Sequence, residues 1–581
     1  MDDRLPRLES TIDQLRGTIA ALEARVTALE ARGGPETETA ARFEAAATEA
    51  ATTEAAAAEA PAGVRDWRDP LALSRLLGRL ALVLGGAYLL RAMTDDGTLP
   101  PAAGVAIGFA YGLIWLVLAD RAGGRRQAPA AVFHVIAAAL VAFPLVYEAT
   151  IRFSVLPGPS SAFALAVLTA GMLFVAWRQR LQALVWIAVC IAIPTSIALL
   201  ATSNVVVPHA FYLILFGVAT LWMGYSLDWL FVRWPVALAA DLVVFGVTMR
   251  ALGAQHQESP GMALLVQMTL LVAYLASIAI RTLVRGRNVI PFEVVQTTAA
   301  LVVGLGGAIS VTRATGAGTM TLGIANLLVG AACYGVAFAF IDRQENRGRN
   351  VYFYTSLALV LVLVGSTLLL PATALDLSFA SLAVVACVLW GRSGRFFLLL
   401  HGAAYLLAAG FASGTVGYAV WAFASGQTGV WKQPGLGAPV VAAAGLLAAW
   451  LVKGEGNGEA HPHARWLRFV IIVVAVSAIG GVAVGLLAPV VAGAASGTVD
   501  PGVLATLRTV VLAVAALAVA WIARHDGFRE WAWLVYPLLV VTGLKMVAQD
   551  FMQSRPATMF VALALYGAAL IVAPRMRRRQ A

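Results

Sequence analysis

Residues 531–551 read WAWLVYPLLVVTGLKMVAQDF. The first twelve carry no charge and suit lipid, yet Lys545 and Asp550 follow without a break. A span that enters near Arg529 and rises about 1.5 Å per residue places Lys545 roughly 24 Å along, near the far surface, where its ammonium can snorkel. Asp550 lies five positions on, about 140° around an α-helix, so the spacing argues against a pair of the i,i+4 type. Each side chain is then expected to meet another helix or headgroup water.

The rest of the chain repeats this apolar pattern. Of 581 residues, 60% are hydrophobic and 12% charged, and mean hydropathy is +0.81. Soluble domains carry about a quarter charged residues. From about residue 73, apolar runs of roughly 18 to 24 residues alternate with short polar turns, the length a spanning helix needs. The fold class expected is all-α, a polytopic membrane bundle of about eighteen transmembrane helices over residues 70–581.

Loop charges test that count. The loops DRAGGRRQ, WRQR, the segment around Arg233, RTLVRGRN, DRQENRGRN, GRSGR, VKGEGNGEAHPHARWLR, ARHDGFRE and the tail PRMRRRQ are basic. The alternate loops hold little beyond Arg91, Arg152, Arg250, Arg313, Lys432, and Lys545 with Arg555. Positive-inside bias puts the first set, and both termini, in the cytoplasm. One missed span would invert every later loop. The aromatic-rich segment GTVGYAVWAFASGQTGVWKQPGLG, residues 414–437, is for that reason expected as an interfacial half helix and not a span.

Before the spans, residues 1–33 place Leu5, Leu8, Ile12, Leu15, Ile19, Leu22, Val26 and Leu29 at alternating intervals of three and four. β-Branched residues at three of four a positions with leucine at every d favour a parallel two-stranded coiled coil, hence a homodimer. A single amphipathic helix packed on cytoplasmic loops is the alternative. Residues 34–69, rich in Ala, Glu and Thr, cannot bury a core and are expected as a flexible linker. The opening MDD is not a secretory signal, so the first span is expected to act as the targeting signal.

A net charge of +10 would suit nucleic acid only if gathered on one surface, and here it is spread over short loops. Cys190, Cys333 and Cys387 lie within apolar runs and offer no disulfide framework. No Walker loop, HExxH or nucleophile elbow is present, and no cofactor is expected. Glu459, His461 and His463 lack the further fixed ligands of a metal site.

Three stretches carry a family likeness: LGRLALVLGGAYLLRAMTDDGTLPPAAGVAIGFAYG (77–112), PTSIALLATSNVVVPHAFYLILFGVATLWMGYSLDWLFVRW (194–234) and GLKMVAQDFMQSRPATMFVALALYGAALIV (543–572). With the N-terminal heptads and acidic linker, the chain resembles the bacterial family of multi-spanning membrane proteins catalogued as domain of unknown function 2339. That family's lysine followed five residues later by an aspartate is matched by Lys545 and Asp550. The resemblance implies a bacterial inner-membrane protein and no particular activity.

Ionisable groups inside spans are candidates for function, or for glue between helices. On the outward side stand Arg91, Asp95, Asp96, Tyr147, Glu148, Arg152, Arg250, Lys545 and Asp550. A lipid phosphate would suit the cations. Asp95 and Asp96 are placed as catalytic acids are in membrane glycosyltransferases using polyprenyl-linked sugars, although paired aspartates are common in turns. Asp241, near the middle of WPVALAADLVVFGVTMR, is the most costly carboxylate and must be protonated or paired, in a structural bond or in proton or ion coupling. His134, His401, Glu293, Gln267 and Asn326 read as interhelical glue. The leading expectation is a non-enzymatic envelope protein that binds or moves a membrane lipid or other amphiphile. The alternatives are a lipid-linked glycosyl or phosphoryl transferase and a scaffold acting through its coiled coil.

Overall fold

A computed structural model describes residues 70–581 apart from 254–257, 342–347, 425–430, 454–462, 494–498, 526, 554–555 and 579–581. The coiled coil expected over 1–33, the linker over 34–69, and Glu459 and His461 lie outside the described residues. The described chain is helical, its single β-bridge joining Gly493 and Val499.

The chain divides into two compact units, residues 1–145 and 146–581. In the first, α1 (Pro70–Asp95), α2 (Pro101–Gly124) and the opening turns of α3 (Ala128–Ile151) pack around Val83, Ala137 and Val141. Glycines at four-residue intervals let these helices approach closely. A Cβ on Gly108 would stand 2.6 Å from Leu145, and one on Gly112 would stand 3.1 Å from Ala142.

The second unit continues as successive hairpins. Its helices are α4 (Gly158–Gln179), α5 (Gln182–Ser203), α6 (Val206–Leu227), α7 (Arg233–Leu252), α8 (Pro260–Val284), α9 (Pro291–Thr315), α10 (Thr319–Ala339), α11 (Gly348–Leu369) and α12 (Ala372–Ser393). After these come α13 (Phe396–Ala412), α14 (Thr415–Ala424), α15 (Gly437–Leu451), α16 (Ala464–Val491), α17 (Pro501–Ile522), α18 (Arg529–Asp550) and α19 (Pro556–Arg578). Helix α10 pairs with α11, α12 with α13 and α15, and α17 with α18 and α19.

Among the described residues, sixteen helices are long and apolar enough to cross a membrane, or seventeen if α13 and α14 form one bent span. The expected eighteen is reduced because α13 has 17 residues and α15 has 15, short of a straight crossing. Helix α14 turns 63° away from α13. Its ten residues match the half helix expected in 414–437, and it packs on α16 through Ala419 and Ala422.

Side chains are distributed as a lipid solvent requires. On α18, Leu544 is 67% exposed and Val547 66%, while Lys545 is 9% and Asp550 0% exposed. Apolar groups face outward and charges inward, the reverse of a water-soluble helix. The chain is a multi-pass membrane protein.

Candidate functional site

Three polar clusters lie inside the second unit. The first is built on α17 and α18. The last turn of α18, Met546–Asp550, is a π-helix. Its wider turn returns position i+5 to the face of position i, and Lys545 Nζ lies 2.5 Å from Asp550 Oδ1. The pair excluded by α-helical spacing therefore forms, because the backbone there is not α-helical. The snorkelling expected of Lys545 is also replaced, since both side chains point into the protein.

The three ammonium protons of Lys545 are all placed: on Asp550 Oδ1, on Thr509 Oγ1 at 2.7 Å, and on the Ala505 carbonyl. Thr509 in turn donates to Asp550 Oδ2 at 2.5 Å. One residue earlier, Arg508 is 1% exposed. Its Nε donates to the Ala422 carbonyl at 2.6 Å and one terminal nitrogen to Gln549 Oε1 at 3.3 Å, while Gln549 reaches the Phe423 carbonyl at 3.4 Å. A buried cation and an amide thus meet carbonyls in the last turn of half helix α14, where partial negative charge gathers.

The second cluster crosses α7, α8 and α9. Asp241, 6% exposed, accepts two contacts from Gln296 Nε2 at 3.0 and 3.2 Å. One α9 turn away, Glu293 accepts from Tyr225 at 2.6 Å, from Arg281 at 3.1 Å on both oxygens, and from the Ile290 amide at 2.8 Å. Gln267 donates to Thr248 at 2.7 Å. The expected roles of Glu293 and Gln267 as glue between helices hold in this geometry. His401 likewise bridges the carbonyls of Phe397 and Thr355, and Asn326 donates to the Leu322 carbonyl of its own helix at 2.7 Å.

The third cluster lies where α13 breaks from α14. Asp376 on α12 is 6% exposed, and its Oδ1 has no hydrogen-bond partner. Ser413 and Thr415, on either side of the break, share a hydrogen bond of 2.6 Å.

The remaining residues expected on the outward side fall elsewhere. Arg250 contacts Glu258 at 3.5 Å and the Asn204 carbonyl, a set that shares no residue with the Lys545 cluster. The backbone carbonyl of Glu148 accepts the N–H of Arg152, whose guanidinium lies 5.9 Å from the Phe153 ring. In the first unit, Arg91 and Asp95 form an i,i+4 contact of 3.8 Å, and Asp96 follows at the end of α1. Side chains of this pair are about a third exposed, and such contacts contribute little stability.

The first unit also holds a cleft of about 570 Å³ between α1, α2 and α3. Leu82, Val83, Tyr111 and Phe133 form apolar walls, and the exposed Arg79 also lines it. Trp115 and His134 also line it, and both Trp115 Nε1 and His134 Nδ1 are buried without a partner. His134 thus lines a cavity, and its ring also packs on that of Trp115 of α2 at 5.4 Å, so it joins two helices by ring contact and not by a hydrogen bond from Nδ1.

No family model matches the chain, and neither a curated protein nor a solved structure matches it.

Sequence reasoning passed over Arg508 and Asp376, and read Arg233, Arg468 and Glu530 only as loop charges, although Arg233 is buried and Arg468 pairs with Glu530 in the interior, 2.9 Å apart. The signal was present for each: a charged side chain within or at the edge of an apolar run, the same rule that picked out Lys545 and Asp241. Among the described residues, no three His, Cys, Asp or Glu side chains gather as metal ligands.

Proposed function

We propose that the chain is a non-enzymatic protein of the bacterial inner membrane that binds or moves a lipid or other amphiphile. The cleft of the first unit carries this reading. Its volume, about 570 Å³, lies within the ~300–1,000 Å³ of small-molecule sites, and its walls are apolar or aromatic. An acyl or isoprenoid chain suits those walls. The polar groups are a guanidinium, an indole N–H and an imidazole nitrogen able to carry a proton. Such a set recognises an acceptor-rich headgroup, a phosphate or carboxylate.

The cleft lies at the opposite end of α1 from Arg91, Asp95 and Asp96. Twelve residues separate Arg79 from Arg91, about 18 Å along the helix. The loop DRAGGRRQ that joins α2 to α3 is at the Arg79 end. With positive-inside orientation the headgroup then belongs to the cytoplasmic leaflet, and not to the outer face where the charge pattern first placed it. The outward Lys545 is less suited to a headgroup, because Asp550, Thr509 and Ala505 already take its three protons. In the same reading both termini are cytoplasmic, α13 with α14 and α15 complete an even set of crossings, and residues 1–33 pair two copies.

A phospholipid carrying a photoreactive group on its acyl chain tests the proposal. Cross-links should map to peptides of α2 containing Tyr111 and of α3 containing Phe133, and an excess of unlabelled anionic lipid should suppress them. Cross-links scattered over the lipid-facing helices of both units, unchanged by competitor, would contradict it.

A further inference from the structure

The break between α13 and α14 brings together groups that the amphiphile reading does not use. Helix α13 ends at Ala412 and α14 begins at Thr415, turned by 63°. The last carbonyls of α13 keep N–H partners here on one side, Ala409 from Ser413 at 3.0 Å and Phe411 from Gly414 at 3.1 Å, which leaves each a second lone pair. Ser413 Oγ reaches the carbonyls of Ala409 at 2.7 Å and Gly410 at 3.4 Å, and Thr415, 3% exposed, completes a pair of hydroxyls with it.

The carboxylate of Asp376 faces this break. A Cβ built on Gly437 would stand 2.4 Å from Asp376 Oδ2 and 2.7 Å from Ser413 Cβ. Those separations, laid end to end, put the carboxylate oxygen and the serine side chain within about 5 Å of each other. Only a glycine fits between them. Helix α15 starts at this glycine, and the partial positive charge of a helix N-terminus favours an ionised carboxylate. Yet Asp376 Oδ1 is buried and accepts no hydrogen bond.

A buried carboxylate without a proton or partner is costly in a membrane. Besides the N-terminus of α15, the neighbouring groups are oxygens: two hydroxyls and the carbonyl end of α13, which is also the negative end of its dipole. Hard cations take oxygen ligands, and half-helix C-terminal ends supply them in membrane carriers. One carboxylate balances one positive charge, whereas divalent sites collect more acids.

We propose that Asp376, Ser413 and Thr415, with the carbonyl end of α13, bind a monovalent hard cation of the Na⁺ class. This site lies in the second unit and stands apart from the amphiphile reading.

The test is the thermal unfolding midpoint of the purified full chain in NaCl against choline chloride of equal ionic strength. The midpoint of the unaltered protein should rise by about 2–4 °C as Na⁺ passes from absent to roughly a hundred times its dissociation constant, and then saturate. Asp376→Asn should abolish the Na⁺ response while unfolding in choline chloride no earlier than the unaltered protein. If that variant fails to fold, Thr415→Ala should move the Na⁺ titration to at least several-fold higher concentration. A midpoint indifferent to Na⁺ in the unaltered chain would overturn the proposal, as would equal responses in the unaltered and substituted proteins.

Discussion

An ammonium ion in a dry interior has three protons to place, and Lys545 places them on a carboxylate, a hydroxyl and a carbonyl. The arrangement answers the cost of burying charge but makes each member depend on the others. Lys545→Ala would leave Asp550, 0% exposed, without its counter-ion, and should cost about 3–5 kcal/mol. Replacing both, Lys545→Met with Asp550→Leu, should recover most of that loss, because neither charge of the pair remains to desolvate. Unfolding of the two variants in detergent checks the sign; a double variant as unstable as the single one would mean that the pair acts otherwise. Asp241 admits a similar comparison. Asp241→Asn keeps an acceptor for Gln296, whereas Asp241→Leu strands a buried amide and should cost about 1–3 kcal/mol more by the same measurement.

At the scale of the element, the half helix α14 depends on what meets its C-terminal end. Arg508 and Gln549 bind the carbonyls of Ala422 and Phe423, and Ala422 belongs to a core cluster with Trp431, Val484 and Leu504. Arg508→Met removes the cation while keeping most of the volume. Amide exchange in residues 415–424 should then accelerate by about tenfold or more, with the remote helices α6 to α9 unchanged, if a charge-assisted bond is worth about 1.5–3 kcal/mol. Exchange unaltered in that segment would contradict a capping role.

Elements also explain which parts of the structure were legible in the sequence. The hairpins were readable because run length and loop charge report independently, and the half helix because counting 414–437 as a span would have reversed every later loop. The pair of Lys545 with Asp550 was not readable, because α-helical periodicity was applied to five residues whose backbone is a π-turn. Nothing in MVAQD announces that turn. Asp376 was marked as a charge within an apolar run, but its setting was not legible, because it is made by Ser413 and Gly437, distant in sequence. The cleft around His134 follows from three helices meeting at aromatic residues, and only the individual residues were visible beforehand.

For the whole molecule, orientation and binding are separable. Single cysteines placed in the loops at residues 122–126 and 286–288 should resist an impermeant thiol reagent in intact cells, and one near residue 97 should react; the opposite pattern would invert the proposed orientation. The central claim is that the first unit holds an amphiphile by an acceptor-rich headgroup. Native mass spectrometry of the full chain, extracted gently from its own membrane, tests it most directly. The account predicts a defined lipid adduct that disappears in Arg79→Glu and persists in Arg91→Glu, which changes the opposite end of the same helix. An adduct retained in Arg79→Glu, or no adduct on the unaltered protein, would contradict it.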